Sequence, residues 1–218
     1  SSAASDVYKR QDMFSLKGKT AIVTGANTGL GQGMCVALAE AGADIAGVAR
    51  RDCDETKKLV EEVGARFLQV KADLSSMEPI DEIIKSAVEE FGHIDILVNN
   101  AGIIKRNDAI DYTEEDWDSV VFLNQKFTFF LCQAAAKQFI AQKSGGKIIN
   151  IASMLSYQGG IRVPSYTASK SAVLGLTRAM ANEWAKYDIN VNGIAPGYMA
   201  TNNTQALRNA VSYTHLTL

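Results

Sequence analysis

A phenol and an ammonium placed one helical turn apart can do acid–base chemistry, and Tyr166-Thr167-Ala168-Ser169-Lys170 has that spacing. On a helix, positions i and i+4 share a face, so Tyr166 and Lys170 can point into one cavity. A positive charge about 6 Å from the phenol, at an effective dielectric near ~20, favours the phenolate by about 3 kcal/mol, or about two pKa units. The expected phenol therefore titrates near ~8 instead of ~10 and can donate or accept a proton near neutrality. The pair alone carries little weight, because a chain of this composition contains one by chance about half the time. A second stretch, Thr24-Gly25-Ala26-Asn27-Thr28-Gly29-Leu30-Gly31, follows an apolar run and precedes a helical one. Glycines there let the backbone turn tightly and approach a pyrophosphate held on the amides of a helix N-terminus. The TGxxxGxG spacing differs from GxGxxG, yet its strand and helix flanks are those a nucleotide-binding turn requires.

The elements that must position these residues alternate along the chain. Apolar runs predict strands at 19–24, 44–49, 66–71, 94–99, 147–151 and 190–194, and helical spacing predicts helices at 30–41, 54–63, 77–91, 113–142 and 165–187. Gly42, Gly64 and Gly92 stand where C-caps belong. Strands such as Ile94-Asp95-Ile96-Leu97-Val98 are mostly apolar without strict alternation, as strands covered on both faces are. The expected fold is α/β, a doubly wound parallel sheet of the Rossmann type with helices on both faces. A hydrophobic content of 47%, a charged content of 21%, 3 prolines and a formal charge of −2 fit one globular domain. They exclude a disordered chain and a basic nucleic-acid binder. No apolar run reaches the ~18 residues of a membrane span and no secretory leader opens the chain, so no membrane association and a cytoplasmic address are expected. Cys35, Cys53 and Cys132 fit neither a disulfide framework nor a metal knuckle and read as reduced, partly buried thiols. No metal is expected, since no His, Cys and carboxylate cluster has ligand spacing, and His93 reads as structural.

The chemistry-bearing stretches come in a fixed order: TGANTGLG at 24–31, Ala72-Asp73-Leu74, Asn99-Asn100-Ala101-Gly102, Asn124 in the long helix, Ser153 after the fifth strand, Tyr166 with Lys170, and Pro196-Gly197-Tyr198-Met199-Ala200-Thr201. This series closely resembles the short-chain dehydrogenase/reductase family, over essentially all of 12–209. The resemblance implies an oxidoreductase moving a hydride between a nicotinamide cofactor and a CH–OH or keto carbon. It implies Tyr166 as proton donor or acceptor, Lys170 as its pKa-lowering partner and a ribose ligand, Ser153 as the hydrogen bond that orients the substrate oxygen, and Asn124 as the holder of a relay water. On the cofactor side it implies Gly25, Asn27, Thr28, Gly29, Leu30 and Gly31 around the pyrophosphate, and Asp73 with Leu74 at the adenine. Asn100, Ala101 and Gly102 would line the ribose, and Pro196, Gly197, Met199 and Thr201 the nicotinamide amide. Within the family, Phe91-Gly92-His93-Ile94-Asp95, the stretch 145–156, the stretch 158–166 and the stretch 195–204 resemble the branch that acts on keto sugar acids in pectin breakdown. Gluconate oxidation and oxoacyl reduction are alternatives within the family. A dinucleotide-sensing regulator without chemistry is an alternative of another class, against which the joint presence of Asn124, Ser153, Tyr166 and Lys170 argues. The family also implies a homotetramer and a further C-terminal strand and helix beyond 209.

A sugar acid needs a cation for its carboxylate, and Arg106 and Arg162 fall in loops expected at the mouth of the site. Cofactor choice rests on two opposed observations. An acidic residue about 20 positions after the first glycine would hold the ribose 2′-hydroxyl of NAD, but Ala49 stands there, followed by Arg50 and Arg51, which suit a 2′-phosphate. Thr28 occupies the place where NADP-using relatives often carry a basic residue. The expectation is NAD as the main cofactor, with NADP admitted through Arg50. Finally, residues 1–11 and 211–218 can be coded by one DNA element read in opposite orientations, similar to a sequencing-library adapter. The ends 1–11 and 210–218 are therefore expected to be foreign and to pack against nothing specific, the natural domain to be 12–209, and this truncated chain to be poorly soluble or inactive.

Overall fold

The computed structural model describes residues 13–199. The two ends read as foreign, the expected loss of a C-terminal strand and helix, and Thr201 lie outside the described residues. Among the described residues, β1 (Thr20–Thr24), β2 (Asp44–Ala49), β3 (Phe67–Lys71), β4 (Ile96–Asn99), β5 (Gly146–Ile151) and β6 (Ile189–Ile194) form one sheet in the order β3-β2-β1-β4-β5-β6. All five pairings are parallel. Parallel neighbours require crossovers, and the helices α1 (Gly29–Glu40), α2 (Asp54–Glu62), α3 (Ile80–Phe91), α4 (Glu114–Val121), α5 (Thr128–Gln142) and α7 (Pro164–Trp184) supply them. A short helix α6 (Leu155–Gln158) precedes α7. This is the doubly wound sheet anticipated from the alternation.

The strands are apolar on both sides because both sides are covered. Ile22, Leu97 and Ile148 pack against Ile83 and Ala87 of α3, Leu131 and Phe139 of α5 and Met180 of α7. Their neighbours along the strands, Ala21, Val23, Ile96 and Val98, face Cys35 and Ala39 of α1 and Val60 of α2. Each fully buried Ile, Leu or Phe contributes about 1.5–3 kcal/mol, so the two layers together fix the sheet between them. The cysteines are free and all three are buried.

Two element boundaries depart from the sequence reading. The helix expected over 77–91 begins only at Ile80, after Pro79, because a proline disfavours helical geometry in the residue before it. The helix expected over 113–142 is not one regular α-helix. Thr113 caps α4 by accepting a hydrogen bond from the Asp116 amide at 3.2 Å, and Phe122–Phe127 form a π-helical segment before α5 continues the rod. Asn124 lies inside that segment.

Candidate active site

The carboxyl ends of β1, β2, β3, β4 and β5 converge on two adjoining hollows, where a doubly wound sheet takes its ligands. The larger, of about 470 Å³, is lined by Gly25, Asn27, Thr28, Arg50, Arg51, Asp73, Leu74, Ala101 and Gly102. The smaller, of about 150 Å³, is lined by Leu30, Asn100, Gly102, Arg106, Ser153, Tyr166, Lys170, Pro196 and Gly197. Gly102 and Ile103 border both. Residues separated by more than a hundred positions in the chain thus share one cleft, with a nucleotide-sized end and a small reactive end.

The glycine turn is built for close backbone approach. Gly25 and Gly29 have φ of 69° and 60°, a left-handed region that other residues rarely adopt. A Cβ on Gly31 would fall onto the carbonyl oxygen of Gly25 and within 2.7 Å of Asn100 Nδ2. Thr28 precedes α1 without capping it, and the first turn of α1 holds no acidic residue. The leading amides of α1 are therefore left for an anion, which the positive end of the helix favours. Thr24 ties this turn to the next strand, its hydroxyl accepting from the amides of Asn100 and Ala101, each at 3.0 Å, while Asn100 Nδ2 donates to the Thr24 carbonyl at 2.9 Å. These features fit the pyrophosphate and ribose of a dinucleotide.

At the far end of that region, no carboxylate follows β2. Ala49 ends the strand, and the next acidic group, Asp52, is bound to Lys71 at 3.0 Å. Asp73 accepts from the Ser75 amide at 3.0 Å, and this bond, aided by the nearby positive charge of Arg50, holds its carboxyl below the usual range.

The reactive end centres on Tyr166, in the first turn of α7. Burial pushes the phenol above its ordinary value, opposed by the Ser153 hydroxyl and by the positive charge of Arg106. Lys170 lies one turn on, its Nζ 5.8 Å from the Tyr166 ring centre, so the pair does share a face. The expected lowering of the phenol by Lys170 is not what the structure shows. Lys170 is buried, donates to the Ile151 carbonyl at 2.5 Å, and has its own pKa pushed down to about 8. Desolvation by burial disfavours the charged form of each. The cation that helps Tyr166 ionise is Arg106, which the spacing argument did not connect to it.

Asn124 stands behind the cleft, 1% exposed. Its Oδ1 accepts from the Ile103 amide at 2.9 Å, and its Nδ2 donates to the Ile103 carbonyl at 2.9 Å and to Ser169 Oγ at 3.2 Å. Both amide hydrogens are committed to anchoring the 101–103 loop against α7, which explains a poor helix former in the middle of a long rod. Arg162 is not brought to the cleft. Its guanidinium meets Asp108 at 2.9 Å on the exposed rim, and its backbone is left-handed at φ 64°. Met199 is described but lines neither hollow. Sequence reasoning missed Ile103, Ser119, Phe122 and Leu123, apolar or small side chains whose only signal is position, and the Ile151 carbonyl, which no residue type announces. Ser169 was within reach, since it sits in the Tyr166–Lys170 turn.

A family profile described as short chain dehydrogenase matches residues 19–212. The chain belongs to the short-chain dehydrogenase family. The 2-dehydro-3-deoxy-D-gluconate 5-dehydrogenase of Escherichia coli K12 is 65% identical to this dehydrogenase over 195 residues, covering 89% of the chain and 77% of the relative. The enzyme of the same name from Dickeya dadantii is 64% identical over the same shares. Among solved structures, an Agrobacterium tumefaciens protein provisionally named 2-deoxy-D-gluconate 3-dehydrogenase, with bound NADP, superposes with a TM-score of 0.83 at 49% identity, covering 93% of this chain and 80% of its own. This dehydrogenase is accordingly an oxidoreductase that binds a nicotinamide dinucleotide, and its larger hollow has the lining for one. No described helix is long and apolar enough to cross a membrane.

Proposed function

We propose that this dehydrogenase interconverts the secondary alcohol and ketone of a six-carbon sugar acid, as a 2-dehydro-3-deoxy-D-gluconate 5-dehydrogenase of pectin or uronate breakdown. The observation that carries this reading is an exposed cation, Arg106, on the wall of the small hollow that also holds Ser153, Tyr166 and Lys170. A carboxylate on Arg106 would leave the rest of a short polyol chain within reach of Tyr166. The high identity to two enzymes of that name supports the same substrate.

In this reading Tyr166 passes the proton to or from the substrate oxygen, and Ser153, whose hydroxyl lines the same hollow and favours the phenolate, holds that oxygen in place. Lys170, fixed on the Ile151 carbonyl, reaches the ribose, and Asn124 holds the loop that borders both hollows and serves a relay water. A bound nicotinamide dinucleotide supplies the hydride donor or acceptor. Gly25, Asn27, Thr28, Gly29, Leu30 and Gly31 would hold its pyrophosphate, Asp73 and Leu74 its adenine, Asn100 to Gly102 its ribose, and Pro196, Gly197, Met199 and Thr201 its carboxamide.

NAD is the main cofactor in this proposal and NADP is admitted. Arg50 and Arg51 line the larger hollow and suit a 2′-phosphate, but Asp73 stands near Arg50 and offsets part of its charge. The proposal extends to a single catalytic domain over 12–209, a homotetramer and a cytoplasmic enzyme. Turnover of 2-dehydro-3-deoxy-D-gluconate, gluconate and a short oxoacyl thioester by the full-length protein, with the product carbonyl located by NMR, tests it. A ketone formed at C5 of the first substrate supports the reading, and a preference for either competitor contradicts it.

A further inference from the structure

One hydroxyl ties the loop that carries Arg106 to the helix that carries Tyr166. Tyr112, just before α4, places its Oη 3.1 Å from the Lys105 carbonyl and 2.6 Å from Ser165 Oγ. A phenol has a single hydrogen. With that hydrogen donated to Lys105, the short contact to Ser165 must have the Ser165 hydroxyl as donor, so the chain runs Ser165 to Tyr112 to Lys105. Ser165 is fully buried, which makes Tyr112 the acceptor that satisfies it. Lys105 immediately precedes Arg106, and Ser165 immediately precedes Tyr166.

The same loop has a second tie to the same helix entry. The Asn107 amide donates to the Arg162 carbonyl at 3.1 Å, and Asp108 pairs with the Arg162 side chain at 2.9 Å. That ion pair is more than half exposed on both sides, and an exposed pair constrains little. The bridge through Tyr112, which ends on the fully buried Ser165 hydroxyl, is therefore the tighter connection between the two walls of the small hollow.

We propose that Tyr112 is a positioning residue that fixes the distance between Arg106 and Tyr166, and so selects substrates whose carboxylate stands at a set reach from the reacting carbon. This rests on Arg106 as the carboxylate anchor, as proposed above. A loosened loop would still leave Tyr166 on its helix, so chemistry on an uncharged substrate would suffer less than chemistry on the acid. Tyr112→Phe keeps the ring and removes both bonds. In the double variant Tyr112→Phe, Ser165→Ala no buried hydroxyl is left without a partner, so the loss of stability is relieved while the tie stays broken.

The test compares kcat/KM for 2-dehydro-3-deoxy-D-gluconate and for its carboxamide, which differs only in charge. Tyr112→Phe is expected to lower the acid-to-amide ratio roughly three- to tenfold, mainly through KM for the acid, as loss of one hydrogen bond's worth of positioning would. The double variant is expected to keep the lowered ratio while its melting temperature moves back toward the wild-type value. Equal losses on acid and amide, or a ratio that recovers with the melting temperature, would show a merely structural role and overturn the proposal. Arg106→Ala in parallel separates the two ideas. If it leaves the ratio unchanged, the carboxylate anchor itself is wrong; if it lowers the ratio and Tyr112→Phe does not, only the role of Tyr112 is wrong.

Discussion

Tyr166 and Lys170 are each pushed toward the neutral form by burial, and the consequence can be read in the stability of the protein. Lys170 has a folded-state pKa of about 8 against an ordinary 10.5, so the unfolded chain binds more protons between those values and stability rises as pH climbs from about 8. Cys35, Cys53 and Cys132 act the other way, since burial lifts their thiols from 9.0 to about 12, 11 and 12 and their contribution fades as pH approaches and passes 9. Between pH 8 and 9 the thiols and the amine oppose each other, so the share of Lys170 is read as a difference between proteins. Without cofactor, the melting temperature should rise more, or fall less, across that window for wild type than for Lys170→Met; parallel profiles would show that the amine is not desolvated as described. None of this is legible in a Tyr–Lys spacing, which reports that two groups can meet but not how much water surrounds them. The same limit applies to Arg162, whose partner Asp108 is 54 positions away and has no pattern of its own.

At the scale of elements, the alternation of apolar runs and helical stretches was enough to place every strand that meets the cleft, because strands buried on both faces leave a continuous apolar signature. The π-helical turn at Phe122–Phe127 was not legible, since one extra residue per turn hardly disturbs the apolar period. Its trace was Asn124, an ill-fitting residue in a helix. Asn124→Ala strands the Ile103 amide and carbonyl and a Ser169 contact, and should destabilise the protein by about 1–3 kcal/mol in denaturant titration, with weaker cofactor binding. Unchanged stability would mean that water replaces the anchor. Gly31→Ala places a methyl against the Gly25 carbonyl, a backbone atom that cannot swing away. The expected cost of about 1–3 kcal/mol falls on the glycine turn, so NADH affinity measured by fluorescence should drop while the sheet still folds.

For the whole molecule, the sheet order β3-β2-β1-β4-β5-β6 reverses direction between β1 and β4, and the two hollows open there. The dinucleotide end draws on β1, β2 and β3, and the reactive end on β4, β5 and α7, so cofactor choice and substrate choice can be altered separately. Arg50→Ala should weaken NADPH binding about tenfold, near 1.4 kcal/mol, with little change for NADH. Equal effects on both would remove Arg50 from 2′-phosphate recognition. The central claim is that Tyr166 moves the proton while the carbon exchanges a hydride with the nicotinamide. Its most direct measurement is NADH formation from NAD and 2-dehydro-3-deoxy-D-gluconate by full-length wild type and Tyr166→Phe, with NADH dissociation constants determined on the same samples. The wild type should produce NADH steadily, and removing the phenol hydroxyl should lower kcat about 100- to 10,000-fold while NADH binding is retained. A Tyr166→Phe protein that still turns over this acid at a near wild-type rate would contradict the central claim.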